Sequence, residues 1–346
     1  MSFNKKIAII ITGILLAVIV ISIAFIFKLK NNSKQEENLE KEEEKVEEIV
    51  ADTTPPIIVL DDTYPVKKGY DKNLVDVIMS ADDIDPNPKR KIIGEYDVNT
   101  VGEYNLTYEI EDASGNKTTK DFTLKVRENG NTYKEDTISF QDAINKYKTE
   151  NTKIGIDVSK WQEEINWEEV KKENVEFAIL RMGYQKGFDG EVLIDPYFEQ
   201  NVKGCKENNI PIAIYFSSYA KSKEESQSHA KWLYENLQKM NLDNLTVAFD
   251  WENWNSFNTL GISLKDINDI ADIFMEECEN LGLKSMLYGS KTYLEEVWQN
   301  TNNYPIWLAN YVSKTSYEKP YKLWQICQTG TISGITGNID INVFYE

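Results

Sequence analysis

The sequence TVAFDWENW, residues 246–254, contains a short apolar strand that is followed at once by two carboxylates. Residues 247–249 are all apolar, and Asp250 and Glu252 come directly after them. Residues two apart on a strand point to the same side, with Cα atoms about 6.6 Å apart. The stretch therefore predicts a buried strand that carries two acids into one space at its carboxyl end.

Similar strand-like runs recur from residue 153 to the end of the chain. The eight runs are KIGIDVS (153–159), FAILRMG (177–183), IPIAIYFSS (210–218), TVAFDWE (246–252), KSMLYGS (284–290), PIWLANY (305–311), LWQICQ (323–328) and IDINVF (339–344). Helical stretches separate the early runs, and strands that alternate with helices predict a parallel sheet. Eight such strands predict a closed, TIM-like (β/α) barrel. The last gaps are too short for full crossover helices, so we expect an irregular barrel that ends in bare strands.

Several acids lie where a barrel of this class carries its chemistry, at the carboxyl ends of its strands. Asp157 is near the end of the first run, and Asp250 and Glu252 end the fourth, whereas Asp340 in the last run is less well placed by this reasoning. Two close carboxyl groups raise each other's pKa, and apolar walls raise it further. One acid then stays protonated while the other is charged, as glycosidic bond cleavage requires. For Asp250 and Glu252 taken alone, a half-exposed strand with two solvated acids is as good an interpretation as a functional pair. Their expected position at the barrel mouth favours a functional role.

Aromatic side chains near the acids are candidates for stacking against sugar rings. This predicted set comprises Trp161, Trp251, Trp254, Trp307 and Tyr311, and Tyr215, Tyr288 and Gln325 complete the residues predicted to bind substrate.

Five motifs occur in order along residues 153–346. They are GIDVSKWQEEINW (155–167), AIYFSSY (213–219), AFDWE (248–252), PIWLANY (305–311) and LWQICQTGTISGITGNIDINVF (323–344). Together they resemble glycoside hydrolase family 25, the Chalaropsis-type lysozymes or N-acetylmuramidases. The resemblance implies a modified (β/α) barrel that cuts the β-1,4 bond between N-acetylmuramic acid and N-acetylglucosamine in peptidoglycan. It implies no metal and no organic cofactor.

The resemblance also implies roles for the four acids. Glu252 is expected to be the catalytic acid and base, and Asp250 to orient or stabilise the reacting sugar through its N-acetyl group. Asp157 and Asp340 match the two other active-site acids of the family. The chain departs from the family in RMGYQKGFDG (181–190), where a stretch with threonine and glycine is common. We therefore expect a differently shaped substrate groove there.

Charge, histidine and cysteine content exclude several classes of protein. A formal net charge of −19 argues against nucleic acid as a partner, because phosphate binding needs a basic surface. The single histidine, His229, lies in what is predicted to be a solvated helix, which argues against Ser-His-Asp, Cys-His and most zinc hydrolases. The cysteines Cys205, Cys278 and Cys327 are expected to be buried free thiols, with a disulfide between two of them as the alternative.

An apolar run near the amino terminus predicts a membrane anchor. Residues 7–27, IAIIITGILLAVIVISIAFIF, are 21 uncharged residues, and at about 1.5 Å per residue they can span a hydrocarbon core of roughly 30 Å. An uncleaved transmembrane helix is favoured over a cleaved signal peptide because no small-residue cleavage site follows. Residues 1–28 are then a short cytoplasmic tail and single-pass anchor, and residues 29–52 an acidic stalk. The catalytic part is expected outside the cell membrane, in a Gram-positive-type envelope.

Residues 53–127 have short alternating apolar runs between turn residues, which predict a small all-β sandwich. In EYNLTYEIEDASGNKTTKDFTLKV (103–126), two such runs flank the turn DASGN. The module resembles the bacterial immunoglobulin-like modules of Gram-positive surface proteins and is expected to be a spacer or a weak wall binder. Residues 128–152 are expected to be a linker with one amphipathic piece.

The sequence thus predicts a multidomain, membrane-anchored peptidoglycan hydrolase with its catalytic barrel at residues 153–346. Its partners are glycan strands and, through residues 7–27, the membrane. A wall-binding scaffold whose barrel has lost activity is the alternative, and the presence of all four acids counts against it. A chitinase-like barrel is a third hypothesis, but VAFDWE lacks the first acids of the longer D-x-x-D-x-D-x-E run.

Overall fold

A computed structural model describes residues 52–129, 137–299 and 301–346. None of the helices in these ranges could span a membrane. The predicted anchor at residues 7–27 and nearly all of the predicted acidic stalk lie outside the described residues, so both stay predictions.

The described residues form fifteen strands and seven α-helices, together with two short 3₁₀ helices. The strands are β1 Ile57–Ile58, β2 Thr63–Lys67, β3 Ser80–Ala81, β4 Lys89–Ile93, β5 Gly102–Glu111, β6 Lys117–Arg127, β7 Thr152–Val158, β8 Phe177–Gln185, β9 Val192–Ile194, β10 Ile212–Ser217, β11 Thr246–Asp250, β12 Lys284–Ser290, β13 Ile306–Ala309, β14 Leu323–Gly330 and β15 Ile339–Tyr345. The helices are α1 Leu74–Val77, α2 Phe140–Tyr147, α3 Trp167–Lys172, α4 Phe198–Glu207, α5 Lys223–Lys239, α6 Leu264–Asn280 and α7 Lys291–Glu296. The 3₁₀ helices are Lys160–Gln162 and Trp254–Thr259.

The first part of the described chain is a β-rich module. Strands β2, β6, β5 and β4 form a four-stranded sheet in that order, and β1 pairs with β3. Its long hairpin, β5 and β6, has Leu106 opposite Phe122 and turns at the DASGN segment, as the alternating pattern predicts. Tyr108 at the centre of β5 is fully buried in the core of the module. The immunoglobulin-like assignment of this module stays a prediction.

The module is bonded to the barrel at the segment that follows β11. The side-chain amide of Asn258 donates to the carbonyl oxygens of Val75 at 2.9 Å and Ile78 at 2.6 Å, and its oxygen accepts from the N–H of Ser80 at 3.1 Å. Two more backbone hydrogen bonds join the start of α6 to the module. The module therefore packs directly against the barrel.

Eight strands close into the predicted irregular barrel. The ring runs β7, β8, β10, β11, β12, β13, β14 and β15, and β9 is attached outside it to β8. All neighbours are parallel except β15, which is antiparallel to both β14 and β7. The sequence predicted a parallel sheet, and that prediction was wrong for β15. Only residues 331–338 separate β14 from β15, which is too short for a parallel crossover of a dozen or more residues.

Helix α2 lies within the predicted linker, residues 128–152. It begins after Ser139, whose hydroxyl accepts from the N–H of Asp142. Phe140 and Ala143 are buried in the hydrophobic core of the barrel. This part of the predicted linker therefore contributes to the barrel, while residues 130–136 lie outside the described residues.

The barrel has two apolar layers because its strands alternate. On β11, Val247 and Phe249 belong to the large cluster between strands and helices, which we call the outer layer. Ala248 belongs to a smaller, separate cluster with Met286 and Tyr288 of β12, which we call the lumen. Each strand thus supplies one set of side chains to the outer layer and the other set to the lumen.

The thiols and the histidine are all buried. Cys205, Cys278 and Cys327 are free, so the described residues contain no disulfide between them. His229 lies on the predicted helix, here α5, but it is 3% exposed, and its Nδ1 is 3.1 Å from the hydroxyl oxygen of Ser218. The prediction of a solvated position was wrong because His229 lies on the face of α5 that packs against β10.

Candidate active site

The fold brings the four predicted catalytic acids to one end of the barrel. Asp157 is near the end of β7, Asp250 ends β11, and Glu252 follows two residues later. Because β15 is antiparallel, its beginning lies at the same rim, with Asp340 opposite Asp157 in register. All four acids line one pocket of about 150 Å³.

Most of the predicted substrate-binding residues line the same pocket. They are Tyr215, Tyr288, Trp307, Tyr311 and Gln325. Gln328 lines it as well and was not predicted from the sequence.

Asp157 is held by side-chain amides from two neighbouring strands. Gln325 Nε2 and Asn342 Nδ2 donate to Asp157 Oδ2 at 2.8 and 2.7 Å. The indole N–H of Trp307 donates to Asn342 Oδ1 at 2.8 Å, which sets the orientation of that amide. Burial raises the pKa of Asp157, and hydrogen bonds from Asn342, Gln325 and Asp340 oppose the rise.

Two tyrosines orient the amide of Gln325 from its other side. The hydroxyls of Tyr288 and Tyr311 donate to Gln325 Oε1 at 3.0 and 2.8 Å. Burial raises the pKa of both tyrosines, so both remain neutral donors. The hydrogen bonds from the two tyrosines orient the Gln325 amide so that its nitrogen faces Asp157.

Asp250 is a buried carboxyl group beside a second acid. Burial and, next, the charge of Glu252 raise its pKa well above the ordinary range, while Arg181 and a hydrogen bond from Ser217 oppose the rise. Arg181 is itself fixed by Asp195, with Nη2 2.7 Å from Oδ2. In the part of the chain that the structure describes, Asp250 Oδ1 is buried and accepts no hydrogen bond.

Glu252 is open to the groove although protein surrounds much of its side chain. Loss of hydration raises its pKa, the charge of Asp157 raises it further, and a hydrogen bond with Tyr288 opposes the rise. Because Asp250 and Glu252 repel each other when both are charged, the pair holds a proton to higher pH than either would alone. The site can therefore offer one carboxylic acid and one carboxylate together.

A wider arm of the groove extends from the acids towards β7 and β8. It has a volume of about 550 Å³ and shares Asp250 and Glu252 with the acid pocket. Trp161, predicted to bind substrate, lines this outer arm and is 74% exposed. Arg181 and Tyr184 of the departing stretch also line it.

The structure does not bring Trp251 and Trp254 to the groove, contrary to the expectation that they stack on substrate. Trp251 is 1% exposed and donates its indole N–H to the carbonyl oxygen of Ala220 at 3.2 Å. Trp254 stacks on Tyr293 with ring centroids 4.2 Å apart. Trp251 alternates with the two acids and therefore points into the outer layer. We therefore leave both tryptophans out of the candidate site.

Sequence reasoning missed two polar residues of the site. Asn342 is two residues from Asp340 on β15, so the period of the strand was a signal that it faces the same space. Gln328 carried no such signal, since residues three apart on a regular strand face opposite sides. Irregular register of β14 on both sides of Cys327 allows both Gln325 and Gln328 to line the pocket.

Comparison with known proteins places this chain in a family. Residues 156–335 match the family described as Glycosyl hydrolases family 25. The uncharacterized protein YegX of Escherichia coli K12 is 28% identical over 194 residues, which cover 55% of this chain and 68% of YegX. The autolytic lysozyme of Clostridium acetobutylicum is 26% identical over 194 residues, which cover 56% of each chain.

A solved structure is also similar to this chain. The modular autolysin LytC from Streptococcus pneumoniae, in complex with a synthetic peptidoglycan ligand, has a TM-score of 0.50 and 24% identity. The match covers 69% of this chain and 56% of LytC, so it shows a likeness of fold. Because the family match spans more than half of its residues, this protein belongs to glycosyl hydrolases family 25.

Proposed function

We propose that this protein is a peptidoglycan hydrolase that cuts the β-1,4 bond between N-acetylmuramic acid and N-acetylglucosamine. The observation that carries the proposal is the pair Asp250 and Glu252, two carboxyl groups with raised pKa values that line one groove at the mouth of a family 25 barrel. Similarity to an autolytic lysozyme, and to an autolysin bound to a peptidoglycan ligand, supports the substrate class.

Glu252 is proposed as the general acid and base. Its carboxyl group is open to the groove, so a glycosidic oxygen can reach its proton, and its raised pKa favours the protonated form that a general acid needs. Once the leaving sugar has accepted the proton, the Glu252 carboxylate can take a proton from the incoming water.

Asp250 is proposed to hold the N-acetyl group of the reacting sugar. An amide N–H of the substrate that donates to the carboxylate of Asp250, which lines the groove, favours the charged form of Asp250. The shared proton then remains on Glu252, where the leaving oxygen needs it. The carbonyl oxygen of the same N-acetyl group can attack the anomeric carbon, so the separation of the two carboxyls does not by itself predict the stereochemistry.

Asp157 and Asp340 are proposed to orient the sugar from the opposite wall of the pocket. The amides of Gln325 and Asn342 fix Asp157, and their hydrogen bonds favour its charged form against burial. A fixed negative charge near the anomeric carbon stabilises the positive charge that develops there.

We also propose that residues 7–27 anchor the protein in the cell membrane with the barrel outside. The test is protease treatment of intact protoplasts followed by detection of the barrel. Loss of the barrel signal is expected. Full protection, or recovery of all the protein in the soluble fraction, would contradict the anchored arrangement.

The test of the activity is product analysis with the full-length protein in detergent. Purified Gram-positive peptidoglycan is digested, reduced with borohydride and analysed by mass spectrometry. New reduced muramic acid ends are expected. Glu252→Gln should lower their rate of formation by roughly 100- to 10,000-fold, because it removes the proton donor while nearly keeping the shape.

Glu296→Gln is the matched control, since Glu296 is an exposed glutamate of α7 that does not line the groove. It should digest peptidoglycan like the wild type. A folded Glu252→Gln protein with undiminished turnover would exclude the proposed acid. A wild-type protein that binds several wall types without forming new ends would instead identify a wall-binding scaffold.

A further inference from the structure

Lys160 lies in the outer arm of the groove with its ammonium between two aromatic rings. Its Nζ is 5.0 Å from the ring centroid of Trp161 and 4.6 Å from that of Tyr184, both within cation–π range. The backbone is fixed as well, because the N–H of Lys160 donates to Asp195 Oδ2 at 2.9 Å. We call Lys160, Trp161 and Tyr184 the ring clamp.

The ammonium of Lys160 has no carboxylate within salt-bridge distance among the residues that the structure describes. Of the other cations that line the outer arm, Arg181 pairs with Asp195 at 2.7 Å, whereas Lys186 is exposed and has no ion pair among the described residues. Lys160 is half-buried and has lost hydration, so an anion that reaches it gains a charge-assisted hydrogen bond.

The ring clamp and the catalytic acids lie along one groove. Tyr215, Asp250 and Glu252 line both the outer arm and the acid pocket. A glycan strand that places a sugar bond at Glu252 can therefore place a nearby sugar against Trp161, whose ring is largely exposed. The ligand that fits the clamp is a sugar ring with an anionic substituent.

We infer that the ring clamp binds a carboxylate carried by a muramic acid residue, either on its lactyl group or on the attached peptide. The inference rests on the proposed function, because it takes the glycan strand of peptidoglycan as the substrate. N-acetylglucosamine carries no acid group and would lose this contact. Lys160 is thus a specificity-determining residue that favours strands with muramic acid at the clamp.

The experiment uses the full-length protein and three soluble tetrasaccharides of alternating N-acetylglucosamine and N-acetylmuramic acid. The first has free lactyl carboxylates, the second has them converted to neutral methylamides, and the third carries acidic stem peptides. The wild type should cleave the better of the two acidic substrates with a kcat/KM on the order of tenfold above the methylamide. The acidic substrate that shows this preference identifies the source of the carboxylate.

Lys160→Gln should reduce the ratio of kcat/KM for the acidic substrate to kcat/KM for the methylamide to about one, because glutamine is neutral and of similar length. Lys160→Arg, which keeps the charge, should retain most of it. Lys221→Gln is the control, because Lys221 does not line the outer arm and is already paired with Asp189, and it should leave the ratio unchanged. An unchanged ratio in Lys160→Gln, or equal cleavage of all three substrates by the wild type, would overturn the inference.

Failure of the proposed function can be separated from failure of the clamp by measuring binding alone. Calorimetry on Glu252→Gln compares the affinities for the acidic and methylamide tetrasaccharides without any cleavage. A preference for the acid that disappears on adding Lys160→Gln supports the clamp even if the wild type cleaves nothing. Equal affinities for the two sugars would reject the clamp, whatever the activity.

Discussion

The outer layer and the lumen of the barrel are built from the same strands but differ in their chemistry. In the outer layer, Phe274 of α6 packs against Phe216 and Phe249, with ring centroids 5.7 and 5.0 Å apart. In the lumen, the buried Asp157 is held by hydrogen bonds from Gln325 and Asn342. Strand alternation therefore separates side chains that stabilise the fold from side chains that can do chemistry, one residue apart.

The two layers also differ in what burial does to stability. Burying apolar surface in the outer layer stabilises the fold by roughly 25 cal/mol per Å². Burying Asp250 beside Glu252 raises the pKa of Asp250 and costs free energy whenever both are charged. We expect changes in the outer layer to affect stability and changes in the lumen to affect turnover.

The largest expected effect is that of Phe274→Ala on stability. Loss of a fully buried ring should lower the free energy of unfolding by about 3–5 kcal/mol, as measured by urea denaturation. Phe274→Leu, which leaves a smaller cavity, should lower it less. The turnover of the folded fraction should hardly change. Lost turnover with unchanged stability would contradict the division between the two layers.

Asp250→Asn should have the opposite effect to Phe274→Ala, with lower turnover and unchanged stability. We expect kcat to fall by about 100-fold, equivalent to about 2.7 kcal/mol in the activation free energy, with no loss of stability at neutral pH. The control is Asp243→Asn, an exposed residue just before the same strand, which should retain wild-type kcat. Equal activities of the two variants would remove Asp250 from the proposed mechanism.

Asn258→Ala tests a polar contact that lies outside the lumen. It leaves the carbonyl oxygens of Val75 and Ile78 and the N–H of Ser80 without this partner, so unfolding should become easier by roughly 1–3 kcal/mol. Asn255→Ala, an exposed change on the same 3₁₀ helix, should have little effect on thermal unfolding. If the two variants melt alike, the module contact adds nothing to stability.

The smallest effect is a pH dependence that only the lumen should show. The folded-state pKa of Asp250 is raised above its unfolded value of about 3.9, so its contribution to stability is fully present below that value. The contribution is lost as the pH rises through the raised pKa. Asparagine does not titrate, so the Tm of Asp250→Asn relative to wild type should rise from pH 4 to pH 8. A constant difference in Tm would contradict the raised pKa.

The sequence by itself determined which side of β11 each residue occupies, because the period of a strand is local. Asp250 and Glu252 therefore line one pocket, as that period predicts. The eight strands of the barrel were also predictable, since each is a separate apolar run. The same rule, applied to Trp251, would have placed it in the outer layer, and the expectation that it binds sugar went against that rule.

Only the tertiary structure decided the direction of β15, the burial of His229 and the surroundings of Lys160. Asp340 reaches the rim that carries the other three acids because β15 closes the ring as an antiparallel hairpin partner of β14. Lys160 meets the ring of Tyr184 because β7 and β8 are neighbours in the barrel. These features depend on contacts between residues far apart in the chain, whereas a periodic pattern records only which face of its own element a residue occupies.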